Sequence, residues 1–468
     1  MRLAPLLLAL AWVLPASAAT RETRIPEASL KVAGSLRERA LADNTAWKLV
    51  ESLTTEVGPR PAGSAGDARA VKWAQARFEQ LGYDNVRLQP VKIKHWVRRS
   101  ERGEVLGAHA QPLTLTALGG SPGGTVEGEV VRFADFASLE AAADGTLAGK
   151  IAFVDYRMQR ARDGSDYRNG SQIRGRGPSA AIKKGAIGFL MRSAGTDHTR
   201  RSPHTGATRF VDGVTPVPSA ALANPDADQL ARLVALGPTR VRVALDTAWE
   251  GETTSYNVIG EIRGRGKPDE VVMIGGHLDS WDLGTGAIDD GAGIGITMAA
   301  GHLIGQLKKR PARTIRVVAF ANEEHGLDGA RTYAEAQAGN IARHQLVAES
   351  DFGAGRVYAF NTGAPAHAAA AEQQIADALK PLGIELTDKG GPGPDLGPIA
   401  QRDAAWASLL QDGTDYFDYH HTPDDTLDKI DPQALAQNVA AYAVFAYLAA
   451  EADGDFGSEA TAVTPPRE

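Results

Sequence analysis

The chain has 468 residues, of which 43% are apolar and 51 are glycines, as expected of a large globular α/β protein with about two or three domains. Its net charge of −7 argues against a nucleic-acid partner, which would favour a basic face. The chain has no cysteine, so disulfides and cysteine metal ligands are excluded and a lipoprotein anchor is not expected.

The first segment has the pattern of an export signal. Arg2 precedes an apolar run from Leu3 to Leu14, and the Ala-Ser-Ala at 16–18 fits a cleavage site. The run is shorter than the ~20 residues that span a bilayer. We therefore predict a signal peptide at residues 1–19 and a soluble product without a membrane span, exported to the periplasm or the medium. An uncleaved anchor is the alternative.

Residues 20–109 read as the N-terminal part of the main domain. Apolar residues recur at helical spacing around Trp47, and the sequence GPRPAGS at 58–64 ends that pattern. A second amphipathic helix is predicted at 68–81, and residues 86–93 alternate like a strand.

Residues 110–250 differ in their pattern of apolar and polar residues and are predicted to form an inserted, β-rich domain. Short β-like runs dominate there, with helices around Ile182 and Leu230. No cluster of metal ligands falls in this segment. We interpret the basic stretch Arg157–Arg176 as a solvated surface loop, with a substrate-facing lid as the alternative.

Residues 251–452 alternate between strands and helices, followed by a polar tail at 453–468. Strands are predicted at 257–262, 270–274, 314–321, 346–349, 357–360 and 405–410, and helices at 291–307, 329–338, 366–382 and 432–450. This alternation predicts an α/β fold with a central, mostly parallel mixed sheet that helices cover on both faces.

Imidazoles and carboxylates follow several of these strands, which is where open α/β sheets place their sites. His277 comes directly after VVMIGG, and Asp279 lies two residues on, on the same side of an extended chain. Asp279 can then orient the imidazole. Taken alone, the two residues are equally compatible with a surface pair.

Two adjacent acids, Asp289 and Asp290, precede a glycine-rich helix start. A carboxylate at this place can simply cap the helix. Two neighbouring acids repel each other unless a cation is near, so we interpret Asp289 as a bridging metal ligand and Asp290 as the cap.

The remaining candidates lie at two strand ends and in one loop. Glu323 and Glu324 end a buried strand, where one can face a metal and the other the attacking water. Asp351 follows the next strand. In the loop before the last helix His420 and His421 are rivals for one ligand position.

These motifs are similar to those of the co-catalytic zinc exopeptidases, a family that includes bacterial leucyl aminopeptidases and folate hydrolase. The most similar branch is that of plasma glutamate carboxypeptidase. The likeness covers nearly the whole mature chain, including a protease-associated insert, and is carried by HLDSWDLGTGAIDDGAG, NEEHGLDGA, ESDFGAG, YFDYHHTPDDT and GPRPAGS.

The resemblance implies a three-layer zinc-exopeptidase fold and a role for each candidate. Two zinc ions are implied, although manganese or cobalt can suit the same donors. Glu323 matches the general base and Asp279 the residue that supports the first histidine. The implied metal ligands are His277, Asp289 as the bridge, Glu324, Asp351 and His421, which is chosen over His420.

The function implied is hydrolysis of dipeptides or short peptides with a free N-terminus. A broad aminopeptidase on longer peptides and a glutamate-type carboxypeptidase are the alternatives within the family. A non-catalytic binding protein and a one-zinc glutaminyl cyclase share the fold, but the full ligand set argues against both. Dimers occur among relatives, so a homodimer is left open.

Overall fold

A computed structural model describes residues 22–457 of the chain. The predicted signal peptide at 1–19 and most of the predicted tail at 453–468 lie outside the described residues. Within the described part, helices that combine the length and the apolarity needed to cross a membrane are absent.

Helices and strands are distributed along the whole described part of the chain. The α-helices are α1 Glu27–Leu41, α2 Thr45–Ser52, α3 Ala65–Gln80, α4 Phe136–Glu140, α5 Tyr167–Lys183, α6 Asn224–Leu236, α7 Ala292–Gly305, α8 Glu323–Gly326, α9 Asp328–Ala336, α10 Ala369–Leu379, α11 Gly397–Ala400, α12 Tyr416–Tyr419 and α13 Pro432–Glu451. The strands are β1 Asp84–Leu106, β2 Gln111–Leu113, β3 Leu115–Ala117, β4 Gly124–Phe133, β5 Ile151–Val154, β6 Gly188–Arg192, β7 Ser219–Leu222, β8 Arg240–Ile262, β9 Lys267–His277, β10 Arg313–Phe320, β11 His344–Glu349, β12 Val357–Thr362, β13 Glu385–Leu386 and β14 Ala407–Gln411.

The strands form a large mixed sheet in the order β11-β9-β10-β8-β4-β5-β6-β7-β3, with β1 paired to β8 and to β2. Strand β9 runs parallel to β10 and β11, whereas β8 is antiparallel to β10. A smaller sheet has the order β13-β12-β14. The prediction of an α/β fold with a central mixed sheet is therefore confirmed.

Strand β9 shows why the sheet is covered on both faces. Val272 and Ile274 pack in a cluster that includes residues of α7 and α13, while Val271 and Met273 pack in a second cluster with residues of α9. Successive side chains of a strand point to opposite faces, so an unbroken apolar run needs helices on both sides. The result is three layers, with the sheet in the middle layer.

Strands β1 and β8 are longer than the sequence predicts. Residues 257–262, predicted as a strand of their own, are the end of a longer strand, Arg240–Ile262, which pairs with Asp84–Leu106 over most of its length. Residues 249–252 in the middle of this strand are all exposed, so the alternation that reveals a half-buried strand is interrupted there. Strand β8 continues across residue 250 without a break, so the strand itself marks no domain boundary there. The domain limits 110–250 therefore stay a prediction.

The prediction of a surface loop over residues 157–176 is wrong from Tyr167 onward, where α5 begins. The glycines of α5 and Pro178 have low helix propensity, so the sequence of this stretch does not indicate a helix. Tertiary packing outweighs this, because Ile173 is buried in a hydrophobic cluster with residues of β5 and β6. At Gly177 an added Cβ would lie 2.6 Å from the Phe189 ring, so a residue of poor propensity is needed there.

Candidate metal centre

The parallel strands bring the predicted groups to one edge of the sheet. His277 ends β9, Glu323 and Glu324 lie just past the end of β10, and Asp351 lies just past the end of β11. The carboxyl ends of parallel neighbours share an edge, so these side chains converge. The structure adds Asp289 from before α7, and His421 from the loop between α12 and α13.

The Asp289 carboxylate lies at the centre of the group. Its Oδ1 is 2.9 Å from Nε2 of His277, and its Oδ2 is 3.2 Å from Nε2 of His421. One carboxylate therefore faces two imidazoles, one through each oxygen. This is the arrangement expected of a bridging ligand between two cations.

Each imidazole also faces a second carboxylate. Nε2 of His277 is 3.4 Å from Oδ1 of Asp351, and Nε2 of His421 is 3.1 Å from Oε2 of Glu324. The other ring nitrogens contact backbone carbonyls, so each Nε2 is directed into the site. His277 Nδ1 is 3.1 Å from the Asp279 carbonyl, and His421 Nδ1 is 3.1 Å from the Thr205 carbonyl.

His420 lies beside its rival but has fewer contacts with the carboxylates. Its ring stacks on His421 at 3.5 Å between centroids, and its Nε2 is 3.5 Å from Oδ2 of Asp289. His421 approaches both Asp289 and Glu324 more closely. The geometry favours His421 as the ligand.

Asp279 supports two parts of the site at once. Its carboxylate lies 3.7 Å from Nδ1 of His277 and accepts hydrogen bonds from the backbone N–H groups of Glu323 at 3.0 Å and Glu324 at 3.4 Å. The imidazole is closer to the backbone carbonyl of Asp279 than to its carboxylate. Asp279 therefore orders the Glu323–Glu324 turn as well as the histidine.

Asp290 lies beside the carboxylate cluster, with a ligand atom within 4.8 Å of those of His277 and Asp351. It accepts hydrogen bonds from the backbone N–H of His277 at 3.0 Å and of Gly293 at 3.1 Å, at the start of α7. These contacts are those of a helix cap that also ties the helix to the end of β9.

Burial and mutual repulsion set the charges in the site. Burial raises the pKa of the Glu323 carboxyl well above its usual value, and it raises the pKa of Glu324 as well. Burial also opposes a charge on Asp289, but the hydrogen bonds from His277 and His421 outweigh it and hold its pKa well below the usual value. So many buried acids are unfavourable unless cations neutralise them.

The donors present fit zinc. Zinc prefers imidazole nitrogen and carboxylate oxygen when cysteine is absent. The ligand atoms of His277, Asp289 and Glu324 all lie within 4.8 Å of one another, and those of Asp289, His420 and His421 do so too. Oε1 of Glu324 is buried without a hydrogen-bond partner, as expected of an oxygen that binds a cation.

Sequence reasoning missed two residues that fix the Asp289 loop. Arg60 is fully buried and donates to the carbonyls of Leu278, Thr285 and Gly286 at 2.5, 2.7 and 2.8 Å. Asp425 accepts from the backbone N–H groups of Ala287 and Ile288, both at 2.7 Å. Both lie in quoted motifs, GPRPAGS and YFDYHHTPDDT, but nothing in those motifs indicates their partners.

The segment 110–250 also contributes to the site. The N–H of Thr205 donates to the carbonyl of His421 at 3.0 Å. A cavity of about 460 Å³ opens over the metal candidates. The residues that line it include Tyr167 and Arg174 of α5, Arg209 and Glu323.

Comparisons with known proteins agree with this geometry. Residues 257–447 match Peptidase family M28. Carboxypeptidase Q of Mus musculus is 33% identical over 414 residues, 88% of this chain and 86% of that protein.

Two solved structures share the fold. The peptidase M28 precursor from Shewanella amazonensis superimposes with a TM-score of 0.89 at 45% identity, over 94% of this chain and 100% of that one. A zinc aminopeptidase from Bacillus subtilis does so with a TM-score of 0.62 at 18% identity, over 86% and 94%. The resemblance inferred from the motifs is confirmed: the chain belongs to peptidase family M28 and is a zinc metallopeptidase, close to plasma glutamate carboxypeptidase.

Proposed function

We propose that this protein is an exported exopeptidase with two zinc ions that hydrolyses dipeptides and short peptides with a free N-terminus. The observation that carries the proposal is the position of Asp289, between His277 at 2.9 Å and His421 at 3.2 Å. Asp289 would bridge the ions, with His277 and Asp351 completing one site and Glu324 and His421 the other.

The Glu323 carboxylate is assigned the proton transfers. Bound zinc supplies a Lewis acid that activates water and polarises the scissile carbonyl. Glu323 accepts the proton of the attacking water and delivers a proton to the leaving amine. Its backbone N–H is held by Asp279 at 3.0 Å, and its side chain lines the cavity, so the carboxylate is directed to where the peptide enters.

The preference for a free amino end rests on the family resemblance, and the size of the substrate rests on the cavity. The cavity volume of about 460 Å³ lies toward the small end of the range for small-molecule sites and suits a short peptide better than a folded chain.

A substrate profile on zinc-loaded and chelator-treated protein tests the proposal. Free dipeptides, their N-acetylated forms and amino-acid anilides are compared. We expect zinc-dependent cleavage of the free dipeptides and little cleavage of the N-acetylated forms. Equal cleavage of blocked peptides would favour a carboxypeptidase, and anilides as the best substrates would favour a broad aminopeptidase. No hydrolysis at all would point to a binding protein of the same fold.

The remaining proposals concern the export of the enzyme, its division into domains and its oligomeric state. Export rests on the segment 1–19, and the domain limits 20–109, 110–250 and 251–452 rest on changes in sequence texture. We also propose that the insert is a protease-associated domain and that the protein can form a homodimer. Both proposals rest on the family resemblance alone.

A further inference from the structure

We propose that Thr205, held in place by Arg98, is a positioning residue for the proposed ligand His421. Thr205 lies in the β6–β7 loop, residues 193–218, so this loop would set how tightly the zinc at His421 is bound. The role depends on the proposed two-zinc site and goes beyond it, because the loop supplies none of the five proposed ligands. The double contact between Thr205 and His421, the anchoring of Thr205, and a difference between the two histidines support it.

The backbone of Thr205 contacts His421 at two points. Its carbonyl lies 3.1 Å from Nδ1 of the imidazole, and its N–H donates to the His421 carbonyl at 3.0 Å. His421 has a φ of 61°, a left-handed conformation that residues other than glycine seldom adopt. Such a conformation persists where the surroundings hold it, and Thr205 holds both the ring and the main chain.

The carbonyl contact decides which nitrogen of His421 faces the site. A carbonyl oxygen only accepts hydrogen bonds, so Nδ1 carries a proton in this contact. Nε2 then faces the carboxylates of Asp289 at 3.2 Å and Glu324 at 3.1 Å, and in the neutral ring its lone pair is free for a metal ion. Loss of the partner that orients a metal-binding histidine lowers metal affinity by about 10- to 100-fold.

Thr205 is in turn fixed through its side chain, which is fully buried. Its hydroxyl accepts a hydrogen bond from Nη2 of Arg98 at 3.0 Å and donates to the Ala117 carbonyl at 2.8 Å. The same guanidinium binds both carboxylate oxygens of Asp282, at 2.9 and 3.1 Å. Asp282 lies in the HLDSWD segment that begins at His277, so Arg98 ties the β6–β7 loop to the chain that follows the other proposed histidine ligand.

The other proposed histidine ligand does not depend on a distant segment. Nδ1 of His277 lies 3.1 Å from the carbonyl of Asp279, two residues further along the chain. The partner of His421 is 216 residues away in the sequence. A local change in the β6–β7 loop should therefore weaken the zinc at Glu324 and His421 and leave the zinc at His277 and Asp351 in place.

The test replaces the Thr205 hydroxyl by a methyl group. Thr205→Val keeps the shape of the side chain but leaves Arg98 and the Ala117 carbonyl without their partner. Competition with a chromophoric chelator measures the zinc affinity of the full chain. We expect one of two zinc equivalents to bind roughly 10-fold more weakly than in the wild type, and the other to bind unchanged. Thr205→Ser, which keeps the hydroxyl, should bind both ions as the wild type does.

The matched control is Thr208→Val. Thr208 lies in the same loop and is also buried, but its hydroxyl has no hydrogen-bond partner within residues 22–457. The same substitution there should leave both zinc affinities unchanged. The backbone of the loop stays tied to Gly119 in either variant, through hydrogen bonds of 2.8 Å from the N–H of Thr208 and 3.0 Å to the carbonyl of Gly206.

Arg98→Lys gives an independent measurement. An ammonium group lacks the planar fork that binds Asp282 and Thr205 together, so this variant should weaken the same zinc equivalent. Equal weakening of both zinc ions, in Thr205→Val or in Arg98→Lys, would show a general structural role and overturn the proposal. Unchanged zinc affinity in Thr205→Val would also overturn it.

The zinc content of the wild type separates this proposal from the proposed function. A wild type that binds a single zinc ion would overturn both. Two equivalents that fall to one in His421→Ala but bind unchanged in Thr205→Val would contradict only the role of Thr205. Weaker binding of one ion by Thr205→Val, with no hydrolysis of dipeptides by the wild type, would keep the role of Thr205 and contradict the proposed dipeptidase activity.

Discussion

The Asp279 carboxylate accepts a hydrogen bond from the backbone N–H of Glu323 at 3.0 Å. The residue that lies beside the proposed ligand His277 thus also fixes the turn that carries the proposed general base. In the proposed mechanism Asp279 would couple metal binding to proton transfer, although His277 and Glu323 come from neighbouring strands.

Replacing Asp279 by alanine should weaken both functions. Loss of a carboxylate that supports a metal-binding histidine lowers metal affinity or activity by about 10- to 100-fold. Here kcat should also fall at saturating zinc, because the backbone N–H of Glu323 loses its hydrogen-bond acceptor. Zinc titration and steady-state kinetics measure the two effects. Asp388→Ala, at an exposed position, is the control. Full activity of Asp279→Ala would remove Asp279 from its assigned role.

The two neighbouring histidines should behave differently. His421→Ala should retain about one of two zinc equivalents, because His421 faces both Asp289 and Glu324. His420→Ala should retain both, since its only carboxylate contact in the described structure is to Asp289 at 3.5 Å. Elemental analysis after dialysis gives the stoichiometry. Loss of zinc from His420→Ala alone would show that the other imidazole is the ligand.

The sequence predicts the part of the site that depends on local pattern. His277 follows an apolar run, and Glu323 follows another, so the strand ends can be read along the chain. Parallel pairing then places them at one edge. The choice of His421 over His420 came from the family resemblance, because local pattern does not separate adjacent residues of one type.

Contacts between distant segments could not be predicted. Arg60 binds carbonyls more than two hundred residues away, and the N–H of Thr205 donates to the carbonyl of His421. Arg174 lies in a stretch whose glycines hid a helix. In each case the partner is set by tertiary packing, which the spacing of residues in one sequence does not encode.

Removal of zinc should destabilise the fold as well as stop catalysis. Without cations, the buried carboxylates of Asp289, Glu324 and Asp351 repel one another. A ligand that binds the folded state at about 1,000 times its Kd stabilises it by about 4 kcal/mol. We expect chelation to lower the Tm by several degrees, on the order of 5 °C, and zinc to restore it. Calorimetry that shows the same Tm with and without chelator would contradict this account.

The stability of the zinc-free protein should fall between pH 6.5 and pH 4, in part through His344. Burial lowers the pKa of this histidine to about 4, and the side chain lies between Tyr333 and the carbonyl of Asn340. The unfolded chain, with a pKa near 6.5, therefore binds more protons in this range. The stabilisation is present above pH 6.5 and is lost as the pH falls, by about 3 kcal/mol at most.

Urea denaturation of zinc-free protein at pH 7 and pH 5 measures this effect. His344→Gln should have a smaller difference in unfolding free energy between the two pH values than the wild type. An unchanged difference would show that His344 does not contribute to the pH dependence.

The central claim is that Glu323 transfers the proton while five other side chains hold two zinc ions. The most direct test is Glu323→Gln, with bound zinc and peptide hydrolysis measured on the same sample. The account predicts about two zinc equivalents per chain and a kcat that falls by roughly 10³-fold. Retention of near-wild-type turnover, or loss of the metal together with the activity, would contradict it.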